Sequence, residues 1–198
     1  MSTKKDLVIK GLEKLIELIE QSSDLREEVY FPIRDAMAQS GKLLEDQIKQ
    51  NLTDNDSVVT GDLRGSVSSS EVQVTKEAIF VEIGAGRGLP YAQAVEYGTK
   101  PHTPPLSITE PGQPLYKFVE IKRLAGVYSV KTGRRLGGKK RQVDENRQAA
   151  RAIWAHIRKF GTKPHPYFMP AIEQTKERIV KLFEEAVEKI AESILKSA

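Results

Sequence analysis

Near the start of the chain the apolar residues are Leu7, Val8, Leu12, Leu15, Ile16 and Ile19, with charged residues between them. This spacing predicts an amphipathic helix from Lys5 to Gln21 with a polar opposite face. Ser22, Ser23 and Asp24 interrupt it, and Asp24 with Glu27 three residues on has the form of a capping box. A second helix is expected from about Leu25 to Leu52, presenting Val29, Ile33, Met37, Leu44 and Ile48. Pro32 should kink that helix or mark a late start. After a turn at Asp54, Asn55 and Asp56 the period changes to two. Val67, Val72 and Val74, then Ile79, Val81 and Ile83, alternate with polar residues on either side of Lys76-Glu77. The expectation for Ser66 to Ile83 is a half-buried antiparallel hairpin.

A glycine-rich connection, Gly84-Ala85-Gly86-Arg87-Gly88, leads to a short helix from Pro90 to Tyr97 and a proline-rich loop from Pro101 to Pro114. Helical periodicity resumes near Asp144 with Ala149, Ile153, Trp154 and Ile157, and stops at Gly161. The last helix has Pro170 in its first turn and carries Ile172, Ile179, Leu182, Phe183, Ala186, Val187, Ile190 and Ile194. Its roughly 28 residues would span ~42 Å at ~1.5 Å each, a length that a small domain does not easily cover. Part of this stripe is expected to pack on the first two helices and the rest to meet a neighbouring subunit. Taken together the elements predict a single α+β domain over residues 1–198, a small antiparallel sheet packed against long N-terminal and C-terminal helices.

Composition narrows the chemistry. At 198 residues, with 39% hydrophobic and 29% charged side chains, the chain suits one globular domain with a real core. No run approaches the ~20 apolar residues of a membrane span, and the first residues have no apolar signal core, so neither a membrane partner nor export is expected. Cysteine is absent, which excludes disulfides, zinc–thiolate sites and thiol nucleophiles.

The net charge of +4 is mild, but its distribution is not. Tyr116 to Arg141 holds nine basic residues, among them Arg134, Arg135, Lys139, Lys140 and Arg141, against the single acid Glu120. Its second half is polar and glycine-rich, so a flexible basic arm or insertion is expected over residues 125–143. Such an arm could contact nucleic-acid phosphates or an acidic protein surface. Aromatic residues are few here (Tyr116, Phe118 and Tyr128), which argues against a base-stacking platform.

The sharpest local feature is a repeat, Gly-Thr-Lys-Pro-His, at Gly98–His102 and Gly161–His165, each copy following an aromatic residue, Tyr97 or Phe160. Glycine ends a helix by turning left-handed, and the proline three residues later prevents its resumption. The pentapeptide is therefore a helix stop with a plain structural cause. A metal or acid/base site would need His102 and His165 to converge with further ligands, and no third ligand or orienting carboxylate stands at a diagnostic spacing. The glycine-rich loop lacks the Lys-Ser/Thr of a triphosphate loop and the spacing of a dinucleotide fingerprint. Ser68, Ser69 and Ser70 fall in a predicted strand, and His156 in an amphipathic helix. No catalytic, cofactor-binding or metal-binding residues, and hence no enzyme activity, are expected.

Three segments in order carry a resemblance. They are Thr60-Gly61-Asp62-Leu63-Arg64-Gly65-Ser66-Val67; Tyr91-Ala92 with Val95-Glu96-Tyr97-Gly98-Thr99 and the prolines around His102; and Pro164-His165-Pro166-Tyr167-Phe168-Met169-Pro170-Ala171 before a long helix. Over roughly Ala36 to the C-terminus the chain resembles the minor tail-component, or tail-completion, family of long-tailed bacteriophages, the gene-product-ten-like and Z-like proteins of lambdoid phages. The resemblance implies an α+β virion subunit without catalysis or cofactor, made in the host cytoplasm. It further implies a homo-oligomeric ring, commonly a hexamer, at the head–tail junction, between a connector or head-completion protein and a tail-tube or tail-terminator protein. Residues 1–23 and the basic arm look like additions to that pattern.

In such a ring the loops after each repeat are plausible contacts, because proline limits the entropy lost on docking. Tyr97, His102, Pro104 and His165 are the candidate interface residues there, with Tyr167 and Phe168 as aromatic anchors or as staples of the last helix. The alternative is a nucleic-acid-binding module that uses residues 116–141; a basic arm could also face DNA in the channel of a ring. A DNA titration at two salt concentrations tests it. The module should lose affinity steeply with salt, and should lose it altogether when Arg134, Arg135, Lys139, Lys140 and Arg141 are neutralised. No binding at low salt would exclude it.

Overall fold

A computed structural model describes residues 25–55, 61–75, 78–89 and 91–197. The expected helix from Lys5 to Gln21, its following cap, Asp56, the Lys76-Glu77 turn and Pro90 lie outside the described residues, as does the side chain of Ile194. The architecture is α+β. Helix α1 spans Leu25–Asp54, α2 Asp62–Gly65, α3 Ala92–Tyr97, α4 Pro114–Ile121, α5 Lys139–Phe160 and α6 Phe168–Ser197. Four two-residue strands lie between α2 and α3: β1 Ser68–Ser69, β2 Gln73–Val74, β3 Ile79–Phe80 and β4 Ile83–Gly84. Strand β1 pairs with β4, and β2 pairs antiparallel with β3 in the register Gln73↔Phe80 and Val74↔Ile79. Helix α1 starts where expected and runs through Pro32. No described helix is long and apolar enough to cross a membrane.

The described residues form two compact units, one from residues 25–45, 69–75, 78–83 and 173–197, the other from 46–55, 61–68, 84–89 and 91–172. In the first, Val29 and Ile33 of α1, one turn apart, pack with Ile190 of α6, with Ile79 and Phe183 against them. A Cβ on Gly41 would lie 3.0 Å from Val81 Cγ2, so the helix passes close to the hairpin. Glu45 accepts the Ser69 N–H at 3.0 Å and its hydroxyl at 2.8 Å, which ties α1 to the start of the hairpin. On α6, Thr175, Ile179, Ala186 and Ile190 are buried at helical spacing. Val187 was expected in that same stripe, but it points away and is 54% exposed, as Val180 is 46% exposed.

In the second unit, Ile48 and Leu52 are fully buried, with Val67, Val119, Ala150 and Ala171 also in the core. Helix α4 packs on α5, and both pack on a 3-10 turn at Leu106–Thr109 inside the proline-rich loop. That loop is tied to α5 twice. Glu110 pairs with Arg147 at 2.9 Å and Arg151 at 3.2 Å, and the Trp154 indole donates to the Pro104 carbonyl at 2.8 Å. Helix α5 begins at Lys139, earlier than the expected Asp144. Its first turns have no apolar stripe for a periodicity search to find, yet lysine, arginine and glutamine are good helix formers, and Arg141 pairs with Glu145 one turn on. The last five residues assigned to the arm are thus helix, and the rest form a loop closed by the Tyr128↔Arg135 bridge.

The two pentapeptide repeats lie against each other. Thr99 and Thr162 exchange both backbone hydrogen bonds, N–H to carbonyl at 3.1 and 3.2 Å, and their hydroxyls meet at 3.1 Å. Gly98 has φ 68° and Gly161 φ 77°, a region that side chains rarely adopt. A Cβ at Gly161 would collide with the Thr99 carbonyl oxygen, and one at Gly98 would lie 2.5 Å from that of Thr162. Each repeat ends its helix as its sequence predicts, and each glycine also admits the other repeat.

This pairing places Glu96, the penultimate residue of α3, at the start of α6. Its buried carboxylate accepts the N–H groups of Tyr167 at 2.7 Å, Phe168 at 2.9 Å and Met169 at 3.1 Å. Those donors have no partner within their own helix, and the helix N-terminus favours negative charge. Asn51 and Asn55 donate to the carbonyls of Tyr167 and Pro166 at 3.1 and 2.7 Å. The Tyr167 ring is 4% exposed, with its hydroxyl 3.3 Å from the Ala92 carbonyl oxygen. Burial, then the Glu96 charge, then Tyr97 and Tyr91, push its phenol up to about 12.

Two outcomes follow for urea unfolding. Glu96→Ala strands three backbone donors, one buried and two part-buried, and should cost about 3 kcal/mol, whereas Glu96→Gln keeps one acceptor oxygen and should cost about half as much. The Tyr167 phenol keeps its proton in the fold to higher pH than in the unfolded chain, where it ionises near 10. Its contribution is therefore complete below pH 10 and is lost as pH rises from 10 towards 12. Tyr167→Phe should show a shallower loss of stability over that window, and equal slopes for the two proteins would contradict the assignment.

Candidate docking surfaces

The second unit contains a groove of about 880 Å³. Its floor is aliphatic and aromatic: Leu52 from α1, Leu63 from α2, Val95 from α3, Leu115 and Phe118 from α4, and Leu124 beyond it. Arg64, Lys117, Lys122, Lys163 and His165 stand among the lining residues, with one acid, Asp62. Tyr91 lies in the wall, and its phenol is held above its ordinary value by burial and then by the Asp62 charge. Helix α4 supplies much of the surface because Tyr116 and Val119 turn into the core. Thr162, Lys163 and His165 come to the groove through the repeat pairing, and the His165 N–H donates to the Val95 carbonyl at 2.7 Å. An apolar floor under a mainly cationic rim suits an amphipathic partner with acidic flanks.

The residues singled out from the sequence have different fates. Tyr97 is 72% exposed, and Phe160, its counterpart before the second repeat, is exposed as well. The Phe160 ring lies 5.0 Å from the His156 ring and beneath the Lys159 ammonium. His102 is exposed, with Nδ1 3.0 Å from the Lys100 carbonyl oxygen. His165 lies at the groove, and Pro104 is half-buried against Trp154 through its carbonyl. Phe168 is half-buried in the first turn of α6. Tyr167 is a correction as a partner-facing anchor: its ring is spent inside the protomer, as a staple of the last helix. Among the described residues, no group of three or more His, Asp or Glu could hold a metal ion.

The five cations of the basic segment also separate. Arg134, Lys139, Lys140 and Arg141 are exposed. Arg135 turns inward, donating to Asn146 Oδ1 at 2.7 Å, Glu145 Oε2 at 2.9 Å and the Gln142 carbonyl at 3.3 Å. Its guanidinium occupies the space that a side chain on Gly126 would take, so Arg135 anchors the loop instead of offering charge to a partner. Hydrogen bonds from Arg141 and then Arg135 hold the Glu145 carboxyl below its ordinary range. The loop also exposes Val127, Val130 and Leu136.

Glu96, Glu45 and the groove floor were not singled out from the sequence, and Arg135 was singled out as a partner-facing cation, not as an anchor of its own loop. Glu96 leaves one signal, an acid inside an apolar short helix directly before a helix-stop glycine. The others depend on residues far along the chain and leave none.

Residues 16–98 match the family described as "Bacteriophage HK97-gp10, putative tail-component". That match overlaps the resemblance read at Thr60–Val67 and at Tyr91–Gly98. The third segment, Pro164–Ala171, lies beyond the matched residues. No curated protein and no solved structure matches the chain.

Proposed function

We propose that this protein is a structural subunit of a tailed bacteriophage, packing with copies of itself into a ring at the head–tail junction. The observation that carries this reading is the family match over residues 16–98, to a tail component. The surfaces support it. A cyclic interface is heterologous, so each subunit must present two different faces. The chain has two: a groove with a cationic rim in one unit, and the Val180–Val187 side of α6 in the other. In this reading the ring, a hexamer in the family it resembles, sits between a connector or head-completion protein and a tail-tube or tail-terminator protein.

The basic loop serves as a docking arm onto an adjoining virion protein. Val127, Val130 and Leu136 stand exposed in the same loop as its cations, and a purely electrostatic grip on phosphates has no use for exposed apolar side chains. Native mass measurement of the purified protein, with and without its tail-tube partner, tests the reading. A defined oligomer, or one that forms on meeting the partner, is expected. A strict monomer that binds neither tail tube nor connector would overturn it.

A further inference from the structure

We infer that the groove of one protomer receives the outer face of helix α6 from a second copy. The inference rests on the ring reading for the existence of a neighbouring copy, and on the two surfaces for how the copies meet.

On α6, Val180 and Val187 lie two turns apart and share a side of the helix with Glu177, Glu184, Glu188 and Ala191. At ~100° per residue these six fall within an arc of about 100°. Thr175, Ile179, Ala186 and Ile190 occupy the opposite side and do the intrachain packing. All six residues of the outer ridge are exposed. The ridge is an acidic, apolar strip bordered by Lys176 and Lys181, and among the described residues it takes no part in the core of its unit.

The groove is its complement in shape and sign. Its volume, about 880 Å³, accommodates side chains from two successive turns of a helix. The floor at Leu63, Leu115 and Phe118 suits valine side chains, and Arg64, Lys117 and Lys163 are placed to meet the glutamates. A polyanion such as DNA would find the cations but would gain nothing from an aliphatic floor.

Charge also sets the order of assembly. Groove against groove brings cations together, and ridge against ridge brings carboxylates together, so only groove-to-ridge contact is favourable. Such contact is head-to-tail, and repeated it closes a ring or extends a filament.

Two full-length variants test the pairing. The first, Lys117→Glu with Lys163→Glu, reverses the rim; the second, Glu184→Lys with Glu188→Lys, reverses the ridge. These positions are exposed, so circular dichroism should match that of the unchanged chain. Each variant alone should self-associate at least about tenfold more weakly in sedimentation velocity, because a rim and a ridge of like charge now meet. Mixed in equal amounts, the two should co-assemble, since each reversed surface then finds its opposite. Val187→Arg, which keeps every rim charge, should weaken association as well.

The inference falls if self-association is insensitive to both sets, whatever else then occupies the groove, the chain's own residues 1–24 or a tail-tube subunit included. It also falls if both variants fail alone and the mixture stays apart. An oligomer that ignores the changes sinks this pairing and leaves the ring reading intact. Co-assembly of the variants, with the protein missing from purified tails and necks, would do the reverse.

Discussion

The fold of the second unit depends on a carboxylate buried at the start of a helix that is not its own. Glu96 leaves water to accept three backbone N–H groups at the first turn of α6. An isolated buried carboxylate is costly, but here the helix supplies three donors otherwise without partners and a positive electrostatic end. The arrangement requires α3 and the start of α6 to approach closely, and the mutual pairing of the Gly-Thr-Lys-Pro-His repeats makes that possible. A short sequence repeat thus becomes a two-part clasp, each copy ending one helix and making room for the other.

From that anchor α6 runs for 30 residues. A helix this long shows every side of its surface to something, and the described residues of its own unit form a core with one side only. The exposed valines among glutamates would be a liability in a solitary protein, since apolar surface set in a polar rim is the usual signature of an interface. The same holds for the groove and for the apolar residues of the basic loop. In a virion component, contact between subunits can cover such surfaces.

The basic segment shows why net charge along a sequence is a poor map of available charge. Arg135 and Arg134 are neighbours in a run of cations, yet one is engaged by Glu145 and Asn146 while the other faces solvent. Gly126 and Glu145 decide the difference, one by leaving space and the other by supplying a carboxylate.

By itself the sequence determined what neighbouring residues settle among themselves. The courses of α1 and α6, the end of α5 at Gly161, the antiparallel turn-back between β2 and β3 and the helix-stop role of both repeats were legible. Helical period, capping glycine and strand alternation act over a few residues, and a reader can add them up. The start of α5 was missed because good helix formers without an apolar stripe leave no periodic mark. The segments that carry the resemblance were legible too; the first lies within the family match and the second overlaps it as far as Gly98. Tertiary structure alone decided which members of each class face inward: Tyr167 buried beside an exposed Tyr97, Val187 turned out of a stripe whose Ala186 and Ile190 turn in, Arg135 turned inward among exposed cations. It also assembled the groove, whose floor draws on Leu52, Leu63, Leu115 and Leu124. The physical reason is that burial and charge pairing depend on distances through space, and residues tens of positions apart come together only once the chain has closed on itself.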